Sequence, residues 1–201
     1  GKTTLLRQFK SALTPSGYRS GDILYCGKPL GELDLLTQTA EIGYVMQRPD
    51  SQIVTDKVWH ELAFGLESLG YGSDEIRRRV SEMASFFGLQ SWFYRETNTL
   101  SGGQRQLLNL ASVMVMQPKI LILDEPTAQL DPIAASDFLQ MLCRINCELG
   151  TTVLLSAHNL EDVIPVSDRV IVMEDGRIVS DDAPARTVTR LKNSGSDMFL
   201  A

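Results

Sequence analysis

The chain has 201 residues, 43% of them hydrophobic, with 25 acidic against 19 basic residues and a formal net charge of −6. This suits one large α/β domain with room for a helical insert, and the acidic balance argues against a nucleic-acid partner. No apolar run approaches the ~18–20 residues that cross a bilayer, and the start does not read as a signal peptide, so the expectation is a soluble cytoplasmic protein that meets any membrane through a partner.

In chain order, Lys2–Leu13 predicts a helix that opens directly from Gly1-Lys2-Thr3-Thr4. Pro15–Gly21 is a turn-rich break, and Ile23–Tyr25 with Gly27-Lys28-Pro29 reads as a strand and turn of a small antiparallel layer. Ile42–Met46 is a short strand that stops at Gln47. Trp59–Leu69 and Asp74–Phe87 then carry helical spacing, with Ile76, Val80, Met83 and Phe87 on one face and Gly88 as a C-terminal stop. These helices belong to an inserted subdomain of about residues 52–115 that ends by presenting Ser101. Trp59, Phe64, Trp92, Phe93 and Tyr94 form a partner surface or pack locally, and packing covers most of them. Arg77-Arg78-Arg79, set among Asp74, Glu75 and Glu82, has the pattern of a solvated helix face.

Asp131-Pro132 reads as a helix N-cap followed by proline at the first helical position. Phe138, Met141, Leu142, Ile145 and Leu149 are its buried stripe, and Gly150 ends it. Val153–Ser156 is a strand, Asn159–Ile164 a short helix, and Arg169–Glu174 with Arg177–Val179 a hairpin about Asp175-Gly176. Ala183–Ala201 reads as a short helix and a loose end. Cys26, Cys143 and Cys147 make no Cys-x-x-Cys pair, and the expectation is ordinary packing.

Three stretches carry chemistry. Gly1-Lys2-Thr3-Thr4 is the tail of a phosphate-binding loop, in which Lys2 reaches the β- and γ-phosphates and the Thr3 hydroxyl sits on magnesium. Leu100-Ser101-Gly102-Gly103-Gln104 puts a hydroxyl and two glycines at a helix start, where unpaired N–H groups and the helix dipole suit a phosphate. Ile120–Leu123 is an unbroken apolar run that delivers Asp124 and Glu125, as a buried parallel strand does. Gln47, Asp124, Glu125 and His158 all lie just past short apolar strands, at the sheet edge where ligands bind in open parallel sheets.

With these motifs in this order, the chain resembles the nucleotide-binding subunits of ATP-binding cassette (ABC) transporters: Leu100–Gln104 matches their signature, Ile120–Glu125 the Walker B strand and Gly1–Thr4 the end of the Walker A loop. Adenylate kinase-like and GTPase folds share Gly-Lys-Thr but have no need of Leu100–Gln104. The resemblance implies an α/β P-loop NTPase with a mostly parallel sheet, a partial antiparallel layer and the helical insert, all in one ATPase domain over residues 1–201. It implies ATP and Mg2+ as ligands, with Thr4 on the α-phosphate, Asp124 on magnesium through water, Glu125 as general base, Gln47 sensing magnesium and the attacking water, and His158 on the γ-phosphate. It also implies that Ser101, Gly102, Gly103 and Gln104 close over ATP held by a second ATP-binding subunit, with Asp131 bridging the dimer.

Gln47-Arg48-Pro49-Asp50-Ser51-Gln52-Ile53-Val54, with Val58–Gly65, is similar to the ATPases of energy-coupling-factor importers, which take up vitamins or transition metals such as cobalt and nickel. That similarity implies a transmembrane scaffold subunit docked in the Gln47 groove, a substrate-binding membrane subunit, and a peripheral position on the cytoplasmic face of the membrane. The alternatives are a soluble ABC ATPase uncoupled from transport and an inactive fragment that scaffolds a partner. Ala128-Gln129-Leu130-Asp131 departs from the more usual Ser-Ala-Leu-Asp but keeps the Asp. The chain also begins inside the phosphate loop, so the expectation is a fragment of a longer protein with a gap in its central sheet. Two missing loop N–H donors would weaken nucleotide binding by ~3–6 kcal/mol, or ~10²–10⁴-fold, leaving ATP hydrolysis poor or absent.

Overall fold

The computed structural model describes residues 1–193. It opens with α1 (Lys2–Gln8) and a single 3₁₀ turn at Ser11–Leu13. A short antiparallel ribbon, β1 (Leu24–Tyr25) and β2 (Lys28–Pro29), leads through α2 (Leu35–Glu41) into β3 (Ile42–Val45). Three helices follow, α3 (Val58–Ser68), α4 (Ser73–Phe86) and α5 (Gly102–Met114). Then come β4 (Ile120–Asp124), α6 (Pro132–Leu149), β5 (Thr152–Ser156) and α7 (Leu160–Val163). β6 (Val170–Glu174) and β7 (Arg177–Asp182) form an antiparallel hairpin, and α8 (Pro184–Asn193) closes the described chain. The loose end expected after α8 lies outside the described residues.

β3, β4 and β5 make a parallel sheet in that order, so the expected α/β class stands, with β1–β2 as the partial antiparallel layer. Helices cover both faces of the sheet, and the twofold alternation of a strand sorts its side chains between two cores. Val45, Leu121 and Leu123 face the larger core with α3, α4, α5 and α6. Ile42, Tyr44 and Ile122 face the smaller one with Leu6 of α1, Tyr25 and Leu30. That double burial is why Ile120–Leu123 reads as one apolar run. Among the described residues, the outer edge of β5 carries no partner strand.

Several boundaries differ from the sequence expectation, each for a local reason. α1 ends at Gln8 rather than Leu13, because Lys10 swings into extended backbone and its ammonium donates to the Ile42 carbonyl at 2.7 Å. Burial there pushes the Lys10 pKa down. β3 stops at Val45, since the Met46 N–H donates instead to Gln52 Oε1 at 2.9 Å. The α6 stripe is Ala135, Phe138, Leu139, Leu142 and Ile145. Leu149 is 41% exposed, because every residue from Asn146 to Gly150 is exposed and the helix has already left the core. Cys26 and Cys147 are exposed rather than packed, and Cys143 is half-buried.

The terminators act as expected. Asp131 Oδ1 caps α6 by accepting from Ile133 and Ala134 N–H, and Gly150 ends it in the left-handed region at φ 69°. Asp175 and Gly176 both have positive φ, 47° and 76°, which a two-residue primed hairpin turn requires. The aromatic residues of the helical layer divide: Trp92 is buried and Phe93 half-buried, while Trp59, Phe64 and Tyr94 are exposed. On α4, Glu75 holds both Arg78 and Arg79, and Arg78 also reaches Glu82.

Two predictions follow from this packing. A Cβ added at Gly43 would stand 2.5 Å from Val113 Cγ1 and 3.3 Å from Leu121 Cδ1, and a β-branched side chain on α5 has little freedom to yield. Gly43→Ala should cost about 1–3 kcal/mol and lower the melting temperature by roughly 2–12 °C, read by thermal circular dichroism; an unchanged melting point would show that α5 shifts freely. Hydrogen bonds from Arg78 and then Arg79 hold Glu75 down to a pKa of about 2. Its support of α4 is therefore complete above the ordinary carboxylate value near ~4.3 and fades as pH falls toward 2. Titration of Glu75 by NMR should show this, and Arg78→Ala should move its midpoint upward.

Candidate functional site

The parallel register sets Val45 opposite Leu123, Leu123 opposite Leu155, and Asp124 opposite Ser156. The chain positions just beyond β3, β4 and β5 therefore fall on one edge, and Gln47, Glu125 and His158 occupy them. α1 is laid across the sheet through Leu6, which shares a core with Ile122 and Tyr44, and its first residues overhang the same edge.

The contacts at that edge are direct. Thr3 Oγ1 donates to Asp124 Oδ1 at 3.0 Å, and Lys2 Nζ donates to the Ala157 carbonyl at 2.9 Å while lying 3.3 Å from His158 Nδ1. His158 Nε2 lies 2.6 Å from Glu125 Oε1, and Gln47 Nε2 donates to Glu125 Oε2 at 2.9 Å. Each Glu125 carboxylate oxygen thus has its own partner. Asp124 is only 3% exposed, whereas the His158 side chain is 74% exposed. Glu125 adopts φ 50°, a left-handed backbone that costs a non-glycine residue about 1–3 kcal/mol and persists where the surroundings impose it.

The other predicted residues lie apart from this cluster. Gly1 and Thr4 are exposed, and neither side chain nor Cα is drawn into the Asp124–Glu125 contacts. Ser101 is the N-cap of α5 in a capping box: its Oγ accepts the Gln104 N–H at 3.2 Å, and Gln104 Oε1 accepts the Ser101 N–H at 3.0 Å. Gly102 and Gly103, the first two helical residues, have N–H groups with no partner inside the helix. The start of α5 adjoins the helix that Asp131 caps, since a Cβ on Gly103 would meet Ala134 Cβ at 3.7 Å. Gly102, Arg105 and Gln106 line a small groove with Gln47, Pro126 and Leu130, so the two groups of residues share a wall.

Four further residues shape the site: Gln52 and Glu61 lie within the Gln47–Val54 and Val58–Gly65 stretches singled out above, whereas Ser156 and Tyr44 belong to no motif. Ser156 Oγ donates to Asp124 Oδ1 at 2.9 Å and accepts the Glu125 N–H at 3.0 Å. Gln52 accepts the Met46 N–H and donates to the Tyr44 carbonyl, and buried Glu61 accepts the Val54 and Thr55 N–H groups at 3.1 and 2.8 Å. Together these last two pin both ends of the segment after Gln47. Tyr44 is buried near enough to Asp124 to feel its charge; burial first, and then that charge, push the phenol pKa up. The one available sequence signal was the strand period, which puts Tyr44 opposite Ile122 and Ser156 opposite Asp124 once the pairing is known.

Among the described residues, no group of three or more His, Cys, Asp or Glu forms a self-sufficient metal cage. The Thr3 hydroxyl and the Asp124 carboxylate stand together at the strand end, with the Glu125 carboxylate held apart by Gln47 and His158. That sparse oxygen set fits magnesium, which keeps several waters and takes its remaining ligands from phosphate.

Known proteins share this architecture. The ABC transporter family matches residues 1–128. A Bacillus thuringiensis subsp. konkukian protein described as an ABC transporter ATP-binding protein is 53% identical over 95% of this chain, which spans only 35% of that protein. The energy-coupling factor transporter ATP-binding protein EcfA2 of Clostridium perfringens is 37% identical over 92% of this chain and 64% of its own length. Among solved structures, cbiO1 from Clostridium perfringens, part of the ABC transporter complex cbiONQ, superposes with a TM-score of 0.84 at 34% identity, covering all of this chain and 80% of that one. The chain thus spans about a third of the Bacillus relative and four-fifths of the cbiO1 chain. It belongs to the ABC transporter family, with a likeness to the energy-coupling-factor and cbiO ATP-binding proteins that extends over more than nine-tenths of its length.

Proposed function

We propose that this chain is the ATP-binding and ATP-hydrolysing part of an importer of the energy-coupling-factor type, whose cargo is a vitamin or a transition-metal ion. The observation that carries the reading is the convergence of Lys2, Thr3, Gln47, Asp124, Glu125 and His158 on one edge of three parallel strands. Lys2 presents an ammonium to the β- and γ-phosphates, Gly1 precedes it as the N-cap of α1, and Thr4 on the first turn of α1 contacts the α-phosphate. Thr3, and Asp124 through water, would hold the Mg2+, which would neutralise charge building on the phosphates. Glu125 takes the proton of the attacking water, Gln47 orients that water, and His158 donates to the γ-phosphate. Such catalysis is mostly positioning and charge stabilisation.

In the structure the same polar groups satisfy one another: Lys2 rests on Ala157 and His158, and Glu125 on His158 and Gln47. A γ-phosphate that engages Lys2 and His158 releases Glu125 Oε1, while Gln47 still holds Oε2. The start of α5, with Ser101 and Gly102 exposed and Gly103 and Gln104 half-buried, closes on nucleotide held by a second ATP-binding subunit, with Asp131 at the junction. A transmembrane scaffold docks against the segment after Gln47, and a small membrane subunit selects the cargo. The likeness to energy-coupling-factor ATP-binding proteins supports a peripheral place on the cytoplasmic face; among the described residues, no helix is long and apolar enough to cross a membrane.

In the full-length protein, Glu125→Gln should lower ATP turnover by about 10²–10⁴-fold while leaving ATP binding intact, because it removes the base and little else. Lys2→Ala should instead weaken ATP binding by roughly 10–150-fold through the loss of a charge-assisted hydrogen bond, measured by titration with a fluorescent ATP analogue. The importer reading is tested by purifying the full-length protein from gently solubilised membranes. A transmembrane scaffold and a small hydrophobic subunit should accompany it; recovery alone, or with ribosomes, would leave only the ATPase chemistry.

A further inference from the structure

Resting on the roles given above to Asp124 and Glu125, we propose that Ser156 is a positioning residue for phosphoryl transfer, its single hydroxyl locking the metal-holding carboxylate and the backbone of the general base into one unit. Ser156 is the last residue of β5, 6% exposed, and the register sets it opposite Asp124. The direction of each hydrogen bond is settled by chemistry. A backbone N–H only donates, so the Glu125 N–H, 3.0 Å away, uses a lone pair of Ser156 Oγ. An ionised carboxylate only accepts, so the hydroxyl proton goes to Asp124 Oδ1 at 2.9 Å. One atom therefore acts on both adjacent acids, once through a side chain and once through the main chain.

Both consequences bear on the reaction. Asp124 Oδ1 receives two donors, Thr3 from α1 and Ser156 from β5, which together fix the carboxylate that would hold the ion. Glu125 sits at φ 50°, a conformation that needs outside support, and the bond to Ser156 Oγ supplies it at the amide. Losing that bond frees the backbone to relax toward negative φ, which re-aims the Glu125 carboxylate. A displacement of about 1 Å in such a group costs on the order of 10²-fold in rate. Substrate binding rests on Lys2 and the phosphate loop, and among the described residues Ser156 meets these only through Asp124 Oδ1, which it shares with Thr3.

The test uses the full-length protein, with ATP as substrate. Ser156→Ala should lower kcat by about 100-fold with the KM for ATP changed less than about threefold, and Ser156→Thr, which keeps the hydroxyl, should restore most of the loss. Amide hydrogen exchange at Glu125 reports the geometry without turnover, and should quicken in Ser156→Ala but not in Ser156→Thr. A wild-type kcat in Ser156→Ala, or an unchanged exchange rate at Glu125 in that variant, overturns the proposal. Glu125→Gln run in parallel separates the two levels: an inactive Glu125→Gln beside an active Ser156→Ala defeats the positioning role alone, whereas full turnover in Glu125→Gln defeats the general-base reading and this inference with it.

Discussion

A carboxylate buried to 3% exposure at the end of the central strand is costly unless donors meet it, and the way Asp124 is met organises the rest of the molecule. One donor is Thr3, which can be there only because Leu6 seats α1 on Ile122 and Tyr44. The other is Ser156, which can be there only because β5 pairs parallel to β4 in a register that sets the two residues opposite. A slip of one residue in that register would turn Ser156 away and disperse the polar edge. Fold and site are thus constrained by the same contacts, with the buried acid as their common point.

The helical layer is bound to that edge by a separate set of contacts. Arg105 on α5 pairs with Asp50 at 3.3 Å, and Asn109 donates to the Pro49 carbonyl at 3.4 Å, so the helix that begins at Ser101 is tied to the segment that follows Gln47. Gln52 and Glu61 hold that segment from its two ends, leaving Gln47 and Arg48 exposed between them. An exposed ion pair such as Arg105–Asp50 adds little stability. Its role is one of placement: with the Asn109–Pro49 bond it sets α5 against the segment that follows Gln47.

Much of the site was legible because its chemistry is local. Ser101-Gly102-Gly103-Gln104 reads as a helix start, and the capping box is there. Asp131-Pro132 reads as a cap, and Asp131 accepts two N–H groups. The places that escaped reading are those where a distant group overrides a local preference. Lys2–Leu13 has the composition of one helix, yet the Ile42 carbonyl draws Lys10 out of it. Leu149 fits the α6 stripe by spacing, but how far the core extends along α6 is set by neighbours remote in sequence.

By itself the sequence determined the kinds of element, their caps and turns, the apolar strands, and the assignment to the ABC transporter family through Gly1–Thr4, Leu100–Gln104 and Ile120–Glu125. These depend on residue type at short separation, where side-chain period, backbone preference and hydrogen-bonding capacity act within a few residues. Only the tertiary structure decided that Glu125 is held at both oxygens by Gln47 and His158, that Lys2 rests on Ala157 and His158, and that Ser156 joins Asp124 to the Glu125 backbone. Those contacts join residues between 31 and 156 positions apart, and their geometry follows from strand register and helix seating, which no local pattern encodes.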